Sequence, residues 1–359
     1  MLDRPVFVVG VARAGTTLLQ CMLSVSPDVY SLPETHFFSE VMPRLRKPAD
    51  DVLTEEDLLL ALSILQERMA LGLSTSDSEG LRQQAFQGQM TGKDLFEFVL
   101  ELHRPSSDTD KRLRVIEKTP RHAIFLSQIH SLYPDATFVH IVREPKNVIS
   151  SWLNAPFAVS SWIPWYAERW NNTLDAVREL AACAPNTVVT IRYEDLVETS
   201  AVTLQVVCEF LQLRYVPDML AAFSTQLAQN AAVEQEPWKQ RVGSGVIHSD
   251  RDVWKDRISA GLAWYIEQQT RANMEACGYP LVVSASWQDR VTAYSHVWSV
   301  PRRNPKALEE CVALSFRYAD TGDMRRASSF ALQALYGDWR LIRNGRIRRI
   351  LARRLQSAS

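Results

Sequence analysis

The residues of this chain that are best suited to chemistry lie near its start, in a glycine turn. The apolar run Val6–Val9 predicts a strand, Gly10–Gly15 predicts a turn, and the apolar periodicity after it predicts a helix. This layout directs backbone N–H groups and a helix N-terminus toward an anion. The spacing nearly matches the nucleotide-binding P-loop, but Thr16 stands where that loop carries its lysine. We therefore predict that the turn holds a phosphate but lacks the usual means of cleaving it, with Arg13 as its cation.

A second candidate anion site follows the strand-like run within residues 136–152. Arg143 comes directly after this run, where P-loop hydrolases carry an acid that helps to hold magnesium. Ser151 falls in the helix predicted to follow, where it can face the same anion. This site offers positive charge and no obvious metal ligand. Two anion sites on neighbouring strands suit a nucleotide with phosphates at both ends.

These two segments resemble the sulfotransferases that use 3′-phosphoadenosine 5′-phosphosulfate (PAPS). RAGTT at residues 13–17 is similar to their 5′-phosphosulfate loop, and Arg143 with Ser151 is similar to their 3′-phosphate motif. The resemblance is closest to the tyrosylprotein sulfotransferases and the bacterial enzymes related to them. It extends, in the same order along the chain, over roughly residues 5–280.

Three further segments support the resemblance. SPDVYSLPET (26–35) resembles the segment with that group's catalytic glutamate, at Glu34. EKTPRH (117–122) resembles the segment with its catalytic lysine, at Lys118, and IRYEDL (191–196) resembles the segment whose tyrosine approaches the nucleotide, at Tyr193. A later nucleotide loop is shorter here than in the tyrosylprotein enzymes. Ser244 is the candidate for its serine, and the position of its lysine stays open.

The resemblance implies transfer of a sulfuryl group from PAPS to an acceptor. Glu34 is the predicted base, with His36 as the second candidate, because a carboxylate is already ionised near neutral pH. Arg13 and Lys118 are predicted to stabilise the charge that develops on the leaving nucleotide. No metal is expected, because the sulfo group carries less charge than a phosphoryl group and fixed cations can meet it. The predicted nucleotide contacts are Arg13, Ala14, Gly15, Thr16, Thr17, Leu18, Arg143, Ser151, Tyr193 and Ser244.

The elements that must position these residues alternate along the chain. Strand-like runs at 6–9, 113–116, 137–142 and 187–191 are separated by helical patterns. This alternation predicts an α/β fold with a P-loop-like parallel β-sheet flanked by helices. A helical insertion is expected at about 52–104 within a sulfotransferase domain of residues 1–285. Residues 300–359 are expected to form a helical C-terminal extension with a basic tail.

The composition limits the binding partners and the cellular compartment that we predict for the chain. The chain has 40 basic and 41 acidic side chains, which argues against nucleic-acid binding as its main role. Its five cysteines lack metal-ligand or redox spacing, which is typical of a reducing compartment. Neither a signal peptide nor a membrane span is evident, so we expect a soluble cytoplasmic protein of bacterial type. The tail carries seven arginines between Arg340 and Arg354, which fits a solvated helix or one that meets an anionic membrane surface or an acidic partner.

The residues leave alternatives open. The acceptor hydroxyl can belong to a carbohydrate, a lipid or a small metabolite, which we favour over a peptide tyrosine. A P-loop nucleotide kinase is the second hypothesis, weakened by the missing lysine and by Arg143 at a strand end. A non-catalytic nucleotide-binding scaffold that acts through the C-terminal helices is the third. An aromatic cluster at residues 152–170 is open to two interpretations, the lining of an acceptor site or core packing. The oligomeric state cannot be read from the sequence.

Overall fold

The computed structural model of the chain describes ten stretches of it. They are residues 4–45, 50–69, 79–81, 83, 87–88, 90–105, 113–155, 162–224, 253–303 and 312. The chain divides into two compact units, one of residues 1–143 with 172–249 and the other of 144–171 with 250–359. The boundaries drawn from the sequence, at 285 and 300, stay predictions.

A five-stranded parallel sheet forms the centre of the first unit, in the order β2-β3-β1-β4-β5. The strands are β1 (Val6–Gly10), β2 (Val29–Ser31), β3 (Arg114–Lys118), β4 (Thr137–Val142) and β5 (Val188–Arg192). The four strand-like runs are thereby confirmed as β1, β3, β4 and β5. The strand β2 was not predicted, because its three residues are too few to show a periodic pattern.

Ten α-helices are assigned in the described part of the chain. They are α1 (Thr16–Leu23), α2 (Glu55–Met69), α3 (Gly92–Glu101), α4 (Leu126–Leu132), α5 (Pro145–Leu153), α6 (Ile163–Cys183), α7 (Tyr193–Glu198), α8 (Ser200–Leu211), α9 (Ala260–Ala276) and α10 (Trp287–Arg303). The insertion is helical where it is described, in α2 and α3. A capping box starts α3: Thr91 Oγ1 accepts from the Asp94 N–H at 3.1 Å, and the Asp94 carboxylate accepts from the Thr91 N–H at 2.9 Å.

The three central strands of the sheet, β1, β3 and β4, are buried along their whole length, as strands of parallel sheets are. Along β1, Phe7 and Val9 point into one apolar core while Val6 and Val8 point into the other, and all four are fully buried. Burial on both faces explains why β1 is apolar along its length rather than alternating with polar residues. The sheet is thus a rigid platform for the loops at its ends.

The second unit has its own apolar core. Trp162 and Tyr166 of the aromatic cluster are buried there with Trp254 and Ile266, so these side chains pack in the core. Phe157, another member of the cluster, lies outside the described residues, as do most of residues 300–359 with the basic tail. Of the helices that can be described, none is long and apolar enough to cross a membrane.

Candidate active site

The candidate site lies at the carboxyl ends of the strands. Because all strands are parallel, the residues that follow β1, β3, β4 and β5 emerge at the same edge of the sheet. The glycine turn follows β1, Lys118 ends β3, Arg143 follows β4, and Tyr193 follows β5. Residues that are far apart in sequence are therefore brought to one edge by the topology.

The glycine turn between β1 and α1 is shaped by two close approaches. A Cβ atom on Gly10 would lie 2.5 Å from the carbonyl oxygen of Ile141, and one on Gly15 would lie 2.5 Å from the ring of Tyr193. Gly15 also has a φ of 102°, and Arg13 has a φ of 77°. Only glycine fits these two positions, so the turn brings its backbone close to its neighbours. The first N–H groups of α1 have no partner within the helix and favour an anion.

Glu34 and Lys118 form an ion pair at this edge. The Glu34 carboxylate accepts from Lys118 Nζ, which also donates to Thr17 Oγ1 at 3.2 Å. The Lys118 side chain is 1% exposed and that of Glu34 is 17% exposed. The base and one cation predicted from the sequence therefore meet beside the first turn of α1, and part of the carboxylate stays accessible.

His36 lies on the other side of the same carboxylate. Its Nε2 is 3.5 Å from the Glu34 carboxylate, and its Nδ1 is 3.9 Å from that of Glu40. Burial lowers the pKa of His36 below its ordinary value of 6.5 and outweighs the two carboxylates, which raise it. The imidazole is therefore largely neutral at pH 7.

A second buried carboxylate, Glu117, lies behind the Glu34–Lys118 pair. It accepts from Thr35 Oγ1 at 2.8 Å and Thr119 Oγ1 at 2.6 Å, and it lies 3.0 Å from His122 Nδ1. Burial raises the pKa of Glu117, but His122 and the hydroxyls of Thr119 and Thr35 together outweigh it, so the net pKa lies below the ordinary value of 4.5. Sequence reasoning noticed EKTPRH only for its lysine and missed this group. The signal was a carboxylate at the end of the apolar run of β3, directly before the lysine.

Arg143 and Tyr193 meet beside the glycine turn. The Arg143 guanidinium lies 4.2 Å from the centre of the Tyr193 ring, and its Nη1 donates to the carbonyl oxygen of Arg13 at 3.3 Å. The ring of Tyr193 covers Gly15. The structure therefore joins the loops after β1, β4 and β5, which carry three of the predicted nucleotide contacts.

The remaining predicted nucleotide contacts are spread over several parts of the chain. Ala14, Thr16 and Leu18 are buried in the turn and α1. Ser151 lies in α5, in the second unit, so its pairing with Arg143 stays a prediction. Ser244 lies outside the described residues. Over the stretches that the structure covers, no group of three or more His, Cys, Asp or Glu side chains is arranged to hold a metal ion.

Known proteins match a large part of this chain in sequence. Residues 5–218 match the profile of the Sulfotransferase family, which is more than half of the chain. A Caenorhabditis briggsae protein, provisionally named a protein-tyrosine sulfotransferase, is 24% identical over 222 residues, 61% of this chain and 69% of that protein. The nodulation protein NoeE of Sinorhizobium fredii is 27% identical over 197 residues, 53% of this chain but 40% of that protein.

Solved structures share the fold. The sulfotransferase domain of the Synechococcus PCC 7002 olefin synthase matches with a TM-score of 0.57 and 21% identity over 79% of this chain and 98% of that domain. The sulfotransferase domain from the curacin biosynthetic pathway matches with a TM-score of 0.53 and 17% identity over 78% of this chain and 99% of that domain. The family match sets aside both the kinase hypothesis and the hypothesis of a non-catalytic scaffold. The chain belongs to the sulfotransferase family and is an enzyme of sulfuryl transfer.

Proposed function

We propose that this sulfotransferase moves the sulfuryl group of PAPS to an acceptor hydroxyl, with Glu34 as the base. The observation that carries the proposal is the meeting of the Glu34 carboxylate, Lys118 Nζ and Thr17 at the start of α1. A proton acceptor and a fixed cation lie there beside a turn suited to an anion. Both groups are needed for this reaction, one for the acceptor and one for the leaving nucleotide.

The glycine turn and the first turn of α1 would bind the 5′-phosphosulfate of PAPS. Residues 13–18 supply backbone N–H groups and the Thr16 and Thr17 hydroxyls for this contact. Arg143, with Ser151 and Ser244, would bind the 3′-phosphate, and Tyr193 would approach the nucleotide. The Arg143–Tyr193 stack supports this assignment, because it holds a guanidinium and an aromatic ring at the same edge of the sheet as the glycine turn.

The reaction balances without a further reactant. The acceptor oxygen forms a bond to sulfur while the bond from sulfur to the bridging phosphate oxygen breaks. The Glu34 carboxylate takes the acceptor proton, and the electron pair of the broken bond stays on the nucleotide, which leaves as 3′-phosphoadenosine 5′-phosphate (PAP). Lys118 and Arg13 stabilise that developing charge. These fixed cations fill the role that magnesium has in phosphoryl transfer, so the proposal needs no metal.

The acceptor is proposed to be a hydroxyl of a carbohydrate, a lipid or a small metabolite, in preference to a peptide tyrosine. Relatives with names as different as a protein-tyrosine sulfotransferase and a nodulation protein match this chain, so family membership leaves the acceptor open. The match spans 69% of the Caenorhabditis briggsae protein and 40% of NoeE, and the activity of neither is transferred whole to this chain.

A direct test offers the purified enzyme 35S-labelled PAPS with a lipid extract, an oligosaccharide mixture and a tyrosine peptide in separate reactions. We expect label in one product, which mass spectrometry finds heavier by about 80 daltons, the mass of the added SO₃ group. Release of labelled sulfate without any labelled acceptor would leave the acceptor unknown but keep PAPS as donor. Failure to bind PAP in calorimetry and to consume PAPS would contradict the proposal.

A further inference from the structure

The buried carboxylate of Glu117 touches the residues that follow both members of the proposed catalytic pair. Glu34 is followed by Thr35, and Lys118 is followed by Thr119. Both threonine hydroxyls donate to the same Glu117 oxygen, at 2.8 and 2.6 Å. One carboxylate oxygen thus ties the loop that carries the base to the strand end that carries the cation.

We infer that Glu117 is a positioning residue, which sets the Glu34 carboxylate against Lys118 for sulfuryl transfer. The inference rests on the proposed function, since it assigns a task to a group that does not touch substrate. Successive residues of a strand point to opposite faces. Glu117 therefore points away from the site while Lys118 points into it, and the two side chains act from opposite sides of β3.

His122 also binds Glu117, and the two hydrogen bonds of its ring define its tautomer. Its Nε2 accepts from the backbone N–H of Phe38 at 3.2 Å, so the ring proton lies on Nδ1 and is donated to Glu117. Thr119 Oγ1 accepts from the backbone N–H of His36 at 3.3 Å. Residues 35–38 are therefore attached to β3 and the turn after it at several points. These bonds hold the backbone through His36, whose φ is 52°.

The cost of burying Glu117 argues for a geometric role. Thr35, Glu117, Thr119 and His122 are all 0% exposed. A buried charge is expensive, and apolar residues of similar volume often stabilise a core equally well or better. A network of directional bonds, in contrast, fixes the relative placement of the segments that it joins. Misplacement by about 1 Å can cost roughly 10²-fold in rate, which is the scale of effect we expect here.

The test compares threonine-to-valine changes at opposite edges of the sheet. Thr35→Val removes the hydroxyl that binds Glu117 at nearly constant volume, and Thr35→Ser restores a hydroxyl. Thr137→Val is the matched control, because Thr137 is also buried, and its Oγ1 accepts from the buried guanidinium of Arg114 at 3.0 Å. Glu117→Gln is the second variant: its N–H₂ replaces either the oxygen that faces His122 Nδ1 or the oxygen that accepts from both threonine hydroxyls.

The readouts are kcat with 35S-labelled PAPS and the acceptor that serves the parent best, affinity for PAP by calorimetry, and melting temperature. We expect Thr35→Val and Glu117→Gln to lose about 10–10²-fold in kcat with PAP affinity nearly unchanged. Thr35→Ser should recover most of the rate. Thr137→Val should keep the parental kcat even where its melting temperature falls as far as that of Thr35→Val.

Parental kcat in folded Thr35→Val would overturn the inference, even if Glu117→Gln failed to fold. If the parent itself consumed no PAPS, the proposed function would fail, and crystal structures of parent and Thr35→Val would decide the positioning role separately. A Glu34 carboxylate displaced from Lys118 Nζ in the variant would support that role. An unchanged Glu34–Lys118 contact would reject it.

Discussion

The two ends of β3 each carry a buried cation, and the two cations differ in their partners. Arg114 begins the strand, where its guanidinium donates to the carbonyl oxygens of Arg4 and Leu211 and to Thr137 Oγ1. Lys118 ends the strand, where it meets the carboxylate of Glu34 and the hydroxyl of Thr17. Both are at most 9% exposed. Burial alone therefore does not mark a catalytic cation.

The difference lies in what each partner can do. Neutral acceptors such as those of Arg114 fix segments of backbone to one another, which is a stabilising role. A partly exposed carboxylate beside a turn suited to an anion can instead give up its ion pair with a lysine and accept a proton from a substrate. We therefore assign stability to the amino edge of the sheet and chemistry to the carboxyl edge, as is general for parallel α/β sheets.

The largest effect is expected from Glu34, the charged partner at the carboxyl edge. Glu34→Gln should lower kcat by about 10²–10⁴-fold, the usual contribution of a general base, while PAP affinity changes little. A phenol that is already ionised at the assay pH should lose less, because it needs no base. Near-normal turnover of the variant on the physiological acceptor would move the base role to another residue, with His36 next to be tested.

A somewhat smaller loss is expected from Arg13, the cation of the glycine turn. Arg13→Ala should lower kcat by about 10²–10³-fold, the usual cost of one preorganised group that stabilises the transition state. The loss in PAP affinity should be smaller than the loss in kcat. Equal losses in both would assign Arg13 to ground-state binding of the phosphate. Calorimetry and initial rates on the same preparation separate the two outcomes.

Arg143 lies at the same carboxyl edge as Glu34 and Lys118, but it is proposed to bind the nucleotide without taking part in the chemistry. The parent should prefer PAP over adenosine monophosphate by about tenfold or more, because a charge-assisted bond contributes roughly 1.5–3 kcal/mol. Arg143→Ala should remove most of that preference. Equal affinity of the parent for both nucleotides would remove the 3′-phosphate site from the account.

The smallest effects are expected from a chelator and from His36. Added chelator should leave turnover unchanged, since fixed cations are proposed to meet the leaving charge; loss of activity that magnesium restores would contradict this. His36→Gln should keep the neutral-pH rate near the parental value, because Glu34 has the base role in the proposal and glutamine replaces a side chain that burial keeps uncharged at this pH. A large loss at pH 7 in this variant would assign His36 a direct role.

Much of the fold could be predicted from the sequence because the central strands are buried on both faces and therefore contain runs of apolar residues. The short strand β2 could not, since three residues carry no periodicity. The motif resemblance identified Glu34 and Lys118, each from its own segment. Their contact joins residues 84 positions apart, and no local pattern encodes it.

The Glu117 network was missed for a related reason. The hydrogen bond between Glu117 and Thr35 joins residues 82 positions apart in the sequence. Glu117 also directly precedes Lys118, the residue that the motif resemblance identified. Tyr193 was predicted to approach the nucleotide; the structure adds that its ring lies over Gly15 and Arg143. Side chains that position other side chains are identified by their partners, which only the tertiary structure provides.

The most direct test of the account measures Lys118→Ala and Arg114→Met side by side, with kcat, PAP affinity and melting temperature for each. We predict that Lys118→Ala loses about 10²-fold or more in kcat and much less in PAP affinity. Arg114→Met should lose stability, because buried carbonyls left without donors cost about 1–3 kcal/mol each, and it should keep the parental kcat below its melting temperature. Normal kcat with weak PAP binding in Lys118→Ala would contradict the central claim and reduce Lys118 to a phosphate anchor.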